Sequence, residues 1–551
     1  EIDVRWGHLN LSPNQDGVIE IAIPEESQWL MPGKPVLPRI IRWIVLPSGY
    51  GVSVEWEGQE AKIALNAPLA RYENPDFKDM AITFPFTSDS SSLFPPEVVI
   101  RGEVGIMAGV RLVPIVINPV QWDEFSKTLT VWDDLRIRID FVPSYSVNSA
   151  RESKKRISHR LVQILKPYVL NGDALTGFGE EDFGSYVYVI PNYQGVREAI
   201  DPLVNWRTRQ GYPTQVIEVS QNASNVEVKR ALQSAYDNWD IPPEFITLVG
   251  DADFQNASFM IPTWDVGRAY MWETDYKYVL LDGPDLLPEA AIGRISCRSL
   301  EELRMLVDRI IRYESDPYMD ETDWYLQGAV MANDPRTGYS SYYLQQWARQ
   351  LMLQSGYTFV DTFYFMHNNP VSGQMFIRNN INRGVAIFHY RGWGQFGGDW
   401  AVGDAPRYLR NGRKMPLWLI PTCNSGDFAD HILSPHAYTE DLFWASGGGC
   451  IGAIGSGGYT HTNYNNVLAG GILNALFRDS LTHIGWALNR GKLELYRQFG
   501  LFNDIQDPQV QNLLIWEAHA YQYNLIGDAG SIFWTGVPQR MVVAHLEEIP
   551  S

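Results

Sequence analysis

Along residues 128–141 apolar and polar side chains alternate. Leu135, Ile137, Ile139 and Phe141 occupy one phase, and Arg136, Arg138 and Asp140 the other. That period of two marks a strand with one face in a core and one in water. Leu129 and Val131, interleaved with Thr128 and Thr130, continue the pattern upstream. Shorter stretches of the same kind fall at residues 19–23, 41–45 and 52–56, each broken by Pro or Gly. No long helical pattern interrupts them, so residues 1–145 predict an all-β, sandwich-like domain.

From residue 183 the pattern changes to short apolar runs separated by helical stripes. Strands are predicted at 186–190, 216–219, 245–249, 290–292, 327–332, 357–362, 385–390 and 417–420. Val196, Ile200, Leu203 and Val204 make one helical stripe, residues 226–236 a second helix, and Leu303, Leu306, Val307 and Ile310 a third. Alternation of this kind predicts an α/β domain over 183–551 whose mostly parallel sheet has helices on both faces. Functional residues are then sought in the loops just beyond the strands' carboxyl ends. Between the two regions, residues 146–182 carry the strongest basic cluster of the chain (Arg151, Lys154, Lys155, Arg156, Arg160) and a Gly- and Glu-rich stretch. This segment reads as an interdomain linker open to a trypsin-like cut.

Composition narrows the functional classes. The formal net charge is −20. This disfavours nucleic acid, which needs a basic footprint, and suits cations and basic peptides. The three cysteines, Cys297, Cys423 and Cys450, are too few for a disulfide scaffold and odd in number, leaving at least one thiol free unless it pairs with another chain. No run of eighteen apolar residues is present, so no transmembrane segment is expected.

Several segments are recognisable. "PEAAIGRISCRSLEELRMLVDRIIRYE" (288–314), "IFHYRGWG" (387–394), "PLWLIPTCNSGDF" (416–428) and "NLIGDAGSIFWTG" (524–536) resemble, in order and spacing, the gingipains, the C25 cysteine peptidases. "MPGKPVLPR" (31–39) and residues 117–141 resemble their N-terminal propeptide. The resemblance implies a caspase-like α/β fold behind an all-β prodomain. It also implies a secreted or cell-surface location and peptide or protein ligands; a larger cell-surface assembly is a further candidate partner. Calcium enters as a structural ion, and no cofactor is required for the chemistry.

The chemistry centres on Cys423, just beyond an apolar strand, which matches the family's nucleophile. A cysteine peptidase needs a thiolate and an imidazole that stabilises it and later protonates the leaving amine. Where the family has Gly-His-Gly, this chain reads Gly392-Trp393-Gly394. Indole offers only a donor N–H and cannot serve as acid or base. The resemblance places the residue that orients the histidine at Asp334, which here has no imidazole to orient, and oxyanion donors at the backbone of Gly394 and Cys423. Tyr459 and His461 fall in the stretch resembling the substrate-pocket wall. The run 336–346 contains no acid to pair with a basic substrate residue. His389 lies four residues before Trp393, about 13 Å back along an extended strand, and His431, His436 and His461 follow Cys423. Asp251, Asp253, Asp275 and Asp282 lie in loops that would suit calcium through oxygen ligands, although their spacing is not that of an EF-hand. The Gly-rich stretches at 447–449 and 455–458 lack the Gly-Lys-Ser/Thr of a phosphate loop.

Three functions compete on this basis. The first is a pseudopeptidase that binds, scaffolds or regulates. The second is an active cysteine endopeptidase with a relocated base. The third is a structural component of a surface assembly.

Overall fold

The computed structural model describes residues 9–14, 16–24, 26–31, 33–72, 92–144, 157–176, 184–252, 257–267, 272–332, 339–364, 370–392, 405–429, 437–501 and 513–539, with backbone alone at 2–3 and 180–181. In the N-terminal part, β1 (Pro38–Val45), β2 (Tyr50–Ala64), β3 (Val110–Ile117), β4 (Val120–Asp123) and β5 (Thr128–Pro143) carry two antiparallel five-stranded sheets. β1 pairs with β3 from Leu112↔Val45 to Ile117↔Ile40, and β2 pairs with β5 from Thr128↔Ala64 to Pro143↔Tyr50. Ile40, Ile44, Val113, Ile115, Leu135 and Ile137 close one core between the sheets. The opposite faces of β1 and β3, with Ile41, Trp43, Leu112 and Val116, join the large core shared with the rest of the chain. Covered on both faces, β1 reads as a nearly continuous apolar run. The alternation of β5 holds at Leu135 and Ile137, each 1% exposed, and fails at Phe141, which is 45% exposed.

The segment 157–176 clasps both parts. α1 (His159–Leu165) is capped by Ser158 and buries Leu161, Ile164 and Leu165. Arg160, one of the basic cluster, is not a solvated residue. Its guanidinium holds both carboxylate oxygens of Glu244 at 3.1 Å and donates to the Tyr212 hydroxyl. On the other side, Trp43 N–H donates to Tyr168 C=O and Leu170 N–H to Trp43 C=O. Residues 151–156 lie outside the described residues.

A buried cation helps tie the N-terminal sheets down. Arg39, 1% exposed, donates to the carbonyls of Arg497, Gln498 and Leu501 and lies 4.5 Å from the Trp29 ring centroid. Burial first, and then the neighbouring Arg497 charge, pull its pKa down to about 9. Arg39→Ala should lower unfolding stability by roughly 3 kcal/mol, since three carbonyls lose a charged donor at once. Urea denaturation followed by tryptophan fluorescence reads this directly.

The second part is built on a ten-stranded sheet. Its strands are β6 (Ser185–Pro191), β7 (Thr214–Val219), β8 (Pro243–Val249), β9 (Ala291–Ile295), β10 (Gln327–Ala332), β11 (Phe359–Tyr364), β12 (Ile387–Arg391), β13 (Leu417–Leu419), β14 (Gly452–Ser456) and β15 (Tyr523–Gly527). The order is β7-β6-β8-β9-β15-β14-β13-β12-β10-β11. β7, β6, β8 and β9 pair in parallel, as do β14, β13, β12, β10 and β11. β15 is antiparallel to β14 over five residue pairs and meets β9 at Arg294↔Ile526.

Helices cover the sheet: α2 (Val196–Arg209), α3 (Asn225–Asn238), α4 (Leu300–Ser315), α5 (Tyr339–Gln354), α6 (Pro370–Arg383), α7 (Tyr438–Trp444), α8 (Thr462–Phe477), α9 (Ile484–Leu495) and α10 (Ile515–Gln522). Ser224 and Glu227 form a capping box on α3, and Ser299 caps α4. None of the described helices is long and apolar enough to cross a membrane.

Candidate active site around Cys423

Cys423 follows β13 after a tight turn and is half-buried. The polar run after it is less exposed than its composition suggests: Asn424, Ser425 and Asp427 are all buried. Their hydrogen bonds are internal. Asn424 N–H donates to Gly458 C=O at 3.0 Å and Gly426 N–H to Ser456 C=O at 2.9 Å. The Ser425 hydroxyl lies 2.9 Å from the carbonyls of Ile420 and Thr422 and receives Ser456 N–H at 3.1 Å. Asn424 adopts a left-handed conformation, φ 47°, which turns the chain immediately after the thiol. The glycines of β14 and its following loop have a mechanical role. A Cβ on Gly455 would stand 2.8 Å from Ser425 Oγ, and one on Gly458 would stand 2.6 Å from the Trp272 ring.

The thiol's partner is Thr460. Its N–H donates to Cys423 Sγ at 3.2 Å, its carbonyl lies 3.4 Å from the sulfur and its hydroxyl 3.5 Å. Asn465 Nδ2 donates to the Thr460 hydroxyl at 2.8 Å, and the Tyr523 hydroxyl donates to Asn465 Oδ1 at 2.6 Å. Burial pushes the Tyr523 phenol far up, so it stays neutral. A chain from β15 through α8 thus fixes the sulfur's surroundings. Sequence reasoning singled out Tyr459 and His461 and passed over Thr460 between them, because threonine carries no catalytic signature. Asn465 and Tyr523 were missed for the same reason. Among the described residues, none accepts from Cys423 N–H, which leaves that donor open to an incoming carbonyl.

The other predicted residues fall as follows. Tyr459 is half-buried and packs edge-on to Trp272, with ring centroids 5.6 Å apart. His461 donates its backbone N–H to His519 Nε2 at 2.7 Å, while His519 Nδ1 lies 2.7 Å from Ile515 C=O. An accepting Nε2 puts the His519 proton on Nδ1, so both nitrogens of that ring are engaged. Gly392 C=O accepts the Thr422 hydroxyl, which places the start of the Gly392-Trp393-Gly394 loop against the residue preceding the thiol. Trp393, Gly394, Asp334, Asp253, Asp399, His431 and His436 lie outside the described residues.

His389 is fully buried in β12, and neither ring nitrogen finds a partner among the described residues. Burial first, and then Arg391, lower its pKa to about 3. The imidazole is therefore neutral when folded and protonates only when the chain opens. The stability it permits is complete above about pH 6.5 and is lost as pH falls from there toward 3, by roughly 1.4 kcal/mol per pH unit. His389→Leu should flatten that acid limb by about one proton and leave the neutral-pH stability equal or higher. Chemical denaturation at a series of pH values checks both parts.

Acidic groups gather beside the thiol loop. Glu273 Oε1 accepts Phe428 N–H, and Glu440 is hydrogen-bonded to the Ser296 hydroxyl while the Thr439 N–H before it donates to Ser425 C=O. The carboxyl ends of β9 and β13 therefore meet at one place. Burial, then Asp427 for Glu273 and Asp251 for Glu440, hold both carboxyls well above the ordinary range. Asp275 gives both oxygens to Arg294, at 2.7 and 2.8 Å, and Oδ1 also takes the Thr263 hydroxyl. That carboxylate is an ion-pair partner. Asp251 Oδ1 accepts its neighbour Ala252 N–H, and Asp282 accepts from Tyr236. The described residues contain no group of three or more His, Cys, Asp or Glu able to hold a metal ion.

Peptidase family C25 matches residues 181–530, and the chain belongs to that family. Gingipain R2 of Porphyromonas gingivalis is 24% identical over 420 residues, covering 73% of this chain and 55% of that protein. Lys-gingipain HG66 of the same species is 24% identical over 509 residues, covering 80% of this chain and 28% of that protein. The chain thus spans little more than half of the first relative's length and about a quarter of the second's. Among solved structures, the Arg-specific cysteine proteinase gingipain R superposes with a TM-score of 0.53 at 20% identity, covering 65% of this chain and 80% of that one. The complex of RgpB pro- and mature domains from P. gingivalis gives 0.52 at 20% identity over 65% and 81% of the two chains. These likenesses establish the gingipain-type α/β fold.

Proposed function

We propose that this protein is a pseudopeptidase of the C25 fold, a protein that receives a peptide at the Cys423 groove and does not hydrolyse it, with a binding, scaffolding or regulatory role outside the cell. The observation that carries this reading is the sulfur's hydrogen-bonding environment. Cys423 Sγ is bonded only to Thr460 among the described residues, by groups that either donate to sulfur or are too weakly basic to take its proton. The resemblance of Gly392-Trp393-Gly394 to the family's Gly-His-Gly loop puts Trp393 in the histidine's stead, and this reading rests on that resemblance. A Thr460 N–H and a free Cys423 N–H can hold a thiol and orient a peptide carbonyl, but neither accepts a proton. Two further histidines fit the same reading. His389 is sealed in the sheet, and both ring nitrogens of His519 are occupied. The N-terminal sheets take the place of a propeptide, and the shared core and the Arg39 anchor favour a unit that stays in place.

The test is capture without cleavage. A mixed peptide library is passed over the immobilised chain, and bound peptides are eluted and sequenced by mass spectrometry. The reading expects intact peptides, displaced when Cys423 is blocked with iodoacetamide. Recovery of fragments sharing one new terminus, absent with Cys423→Ala, would refute it.

A further inference from the structure

Away from Cys423, an open cavity of about 840 Å³ lies where the N-terminal sheets and α1's following turn meet α5, α8 and α9. Its volume falls within the range of small-molecule sites. One wall is half-buried and apolar, made of Leu344 and Trp347 from α5 and Val467 from α8. On the α8 floor, Gly470 has nothing within 4 Å of where a Cβ would stand, so the helix is bare where it faces this space.

The opposite wall is cationic. Arg490 and Arg497 are buried, and their guanidinium carbons lie 4.8 and 4.2 Å from the Tyr168 ring centroid. Arg490 holds Asp479 through Nε at 3.2 Å and Glu494 through Nη1 at 2.8 Å. Arg497 holds Glu494 through Nη1 at 3.1 and 2.9 Å. The Nη2 group of each is left without a hydrogen bond to a described residue. Arg478 lines the same space, is exposed, and makes no hydrogen bond or ion pair to a described residue. Asn474 adds a buried side-chain oxygen with no partner, and its amide can turn to offer N–H instead.

The charges of the lining decide the ligand. Arg42, Arg478, Arg490 and Arg497 face Glu26, Asp479 and Glu494, four cations against three anions, which leaves room for one negative charge. This is a local reversal in a chain of net charge −20. Planar guanidinium edges match a carboxylate, and the Leu344–Trp347–Val467 wall calls for an apolar body. We propose that this cavity is a ligand site for a small organic monocarboxylate with an apolar body, held by Arg478 and the free edges of Arg490 and Arg497. It does not depend on what Cys423 does.

The probe is 3-phenylpropionate, titrated calorimetrically into the full chain at low salt, with 3-phenylpropanol as the neutral counterpart. Two variants accompany it. Arg478→Gln removes an exposed, unpaired charge, and Gly470→Leu fills the open floor. Both must first show a wild-type thermal melt by circular dichroism. The expected result is saturable binding of the acid to wild type, at least about tenfold weaker in either variant, with no saturable binding of the alcohol. Absence of saturable binding to wild type, wild-type affinity in either variant, or equal binding of the alcohol would overturn the assignment.

Discussion

Arg207→Ala should lower unfolding stability by about 3–5 kcal/mol, because it breaks a fully buried ion-pair network. Arg207 sits in α2 with 1% exposure and ties that helix to α4 and to the end of β15. Its guanidinium donates to Glu314 of α4 and to Asp528, just past β15. Asp528 is fully buried and also accepts the hydroxyls of Thr247 at 2.6 Å and Tyr186 at 3.0 Å. Tyr186 in turn receives Gly530 N–H at 2.6 Å. Removing the cation leaves two carboxylates in a dry interior, each without its charge partner. Arg207→Lys should recover only part of the loss, because one ammonium cannot fork between Glu314 and Asp528. The double variant Arg207→Met with Glu314→Leu should be markedly more stable than Arg207→Ala, since fewer unpaired charges remain. Guanidinium denaturation of the four proteins orders them, and equal midpoints for Arg207→Ala and wild type would refute the network's role.

The second large effect concerns the thiol. Trp393→His should raise the rate at which Cys423 is modified by a peptide carrying an electrophilic carbonyl by roughly a hundredfold or more, the usual contribution of a positioned acid–base group. The Thr422–Gly392 hydrogen bond fixes the start of that loop beside the residue preceding the thiol. The increase should vanish in Trp393→His combined with Cys423→Ala, and should be largest above the imidazole's own titration range. Equal labelling in wild type and Trp393→His would mean that the indole is not what keeps the thiol inactive.

Much of the α/β part was legible from pattern alone. Residues 186–190 and 245–249 read as strands because both faces of a parallel sheet are covered and the runs are continuously apolar. β10 was placed at its observed ends, and α4 announced itself through Leu303, Leu306, Val307 and Ile310. β14 was not legible. Its sequence, GAIGS, gives up side chains so that Ser425 and neighbouring backbone can approach. α9 was hidden for the opposite reason: nearly every residue from Ile484 to Leu495 is buried, so no polar face sets a helical period. Segment 157–176 read as linker because sequence cannot show that Arg160 meets Glu244, Tyr212 and His483 across more than fifty residues.

The site divides along similar lines. Cys423 was singled out because it follows an apolar strand and its segment resembles the family's nucleophile loop. Thr460, Asn465 and Tyr523 were not, because their importance is a matter of which atoms touch the sulfur or its neighbours. The acids at 251, 275 and 282 were legible as loop carboxylates, but not their partners. Arg294 is the residue that commits Asp275, and it lies on a strand whose apolar neighbours conceal it.

Hydrolysis is the most direct measure of whether Cys423 lacks a working base. Wild type and Cys423→Ala are assayed side by side, in large enzyme excess, against fluorogenic peptides with each of the twenty residues before the scissile bond. The account predicts two indistinguishable traces at the level of buffer for every peptide. Release of fluorophore by wild type that disappears in Cys423→Ala, for even one peptide, contradicts it.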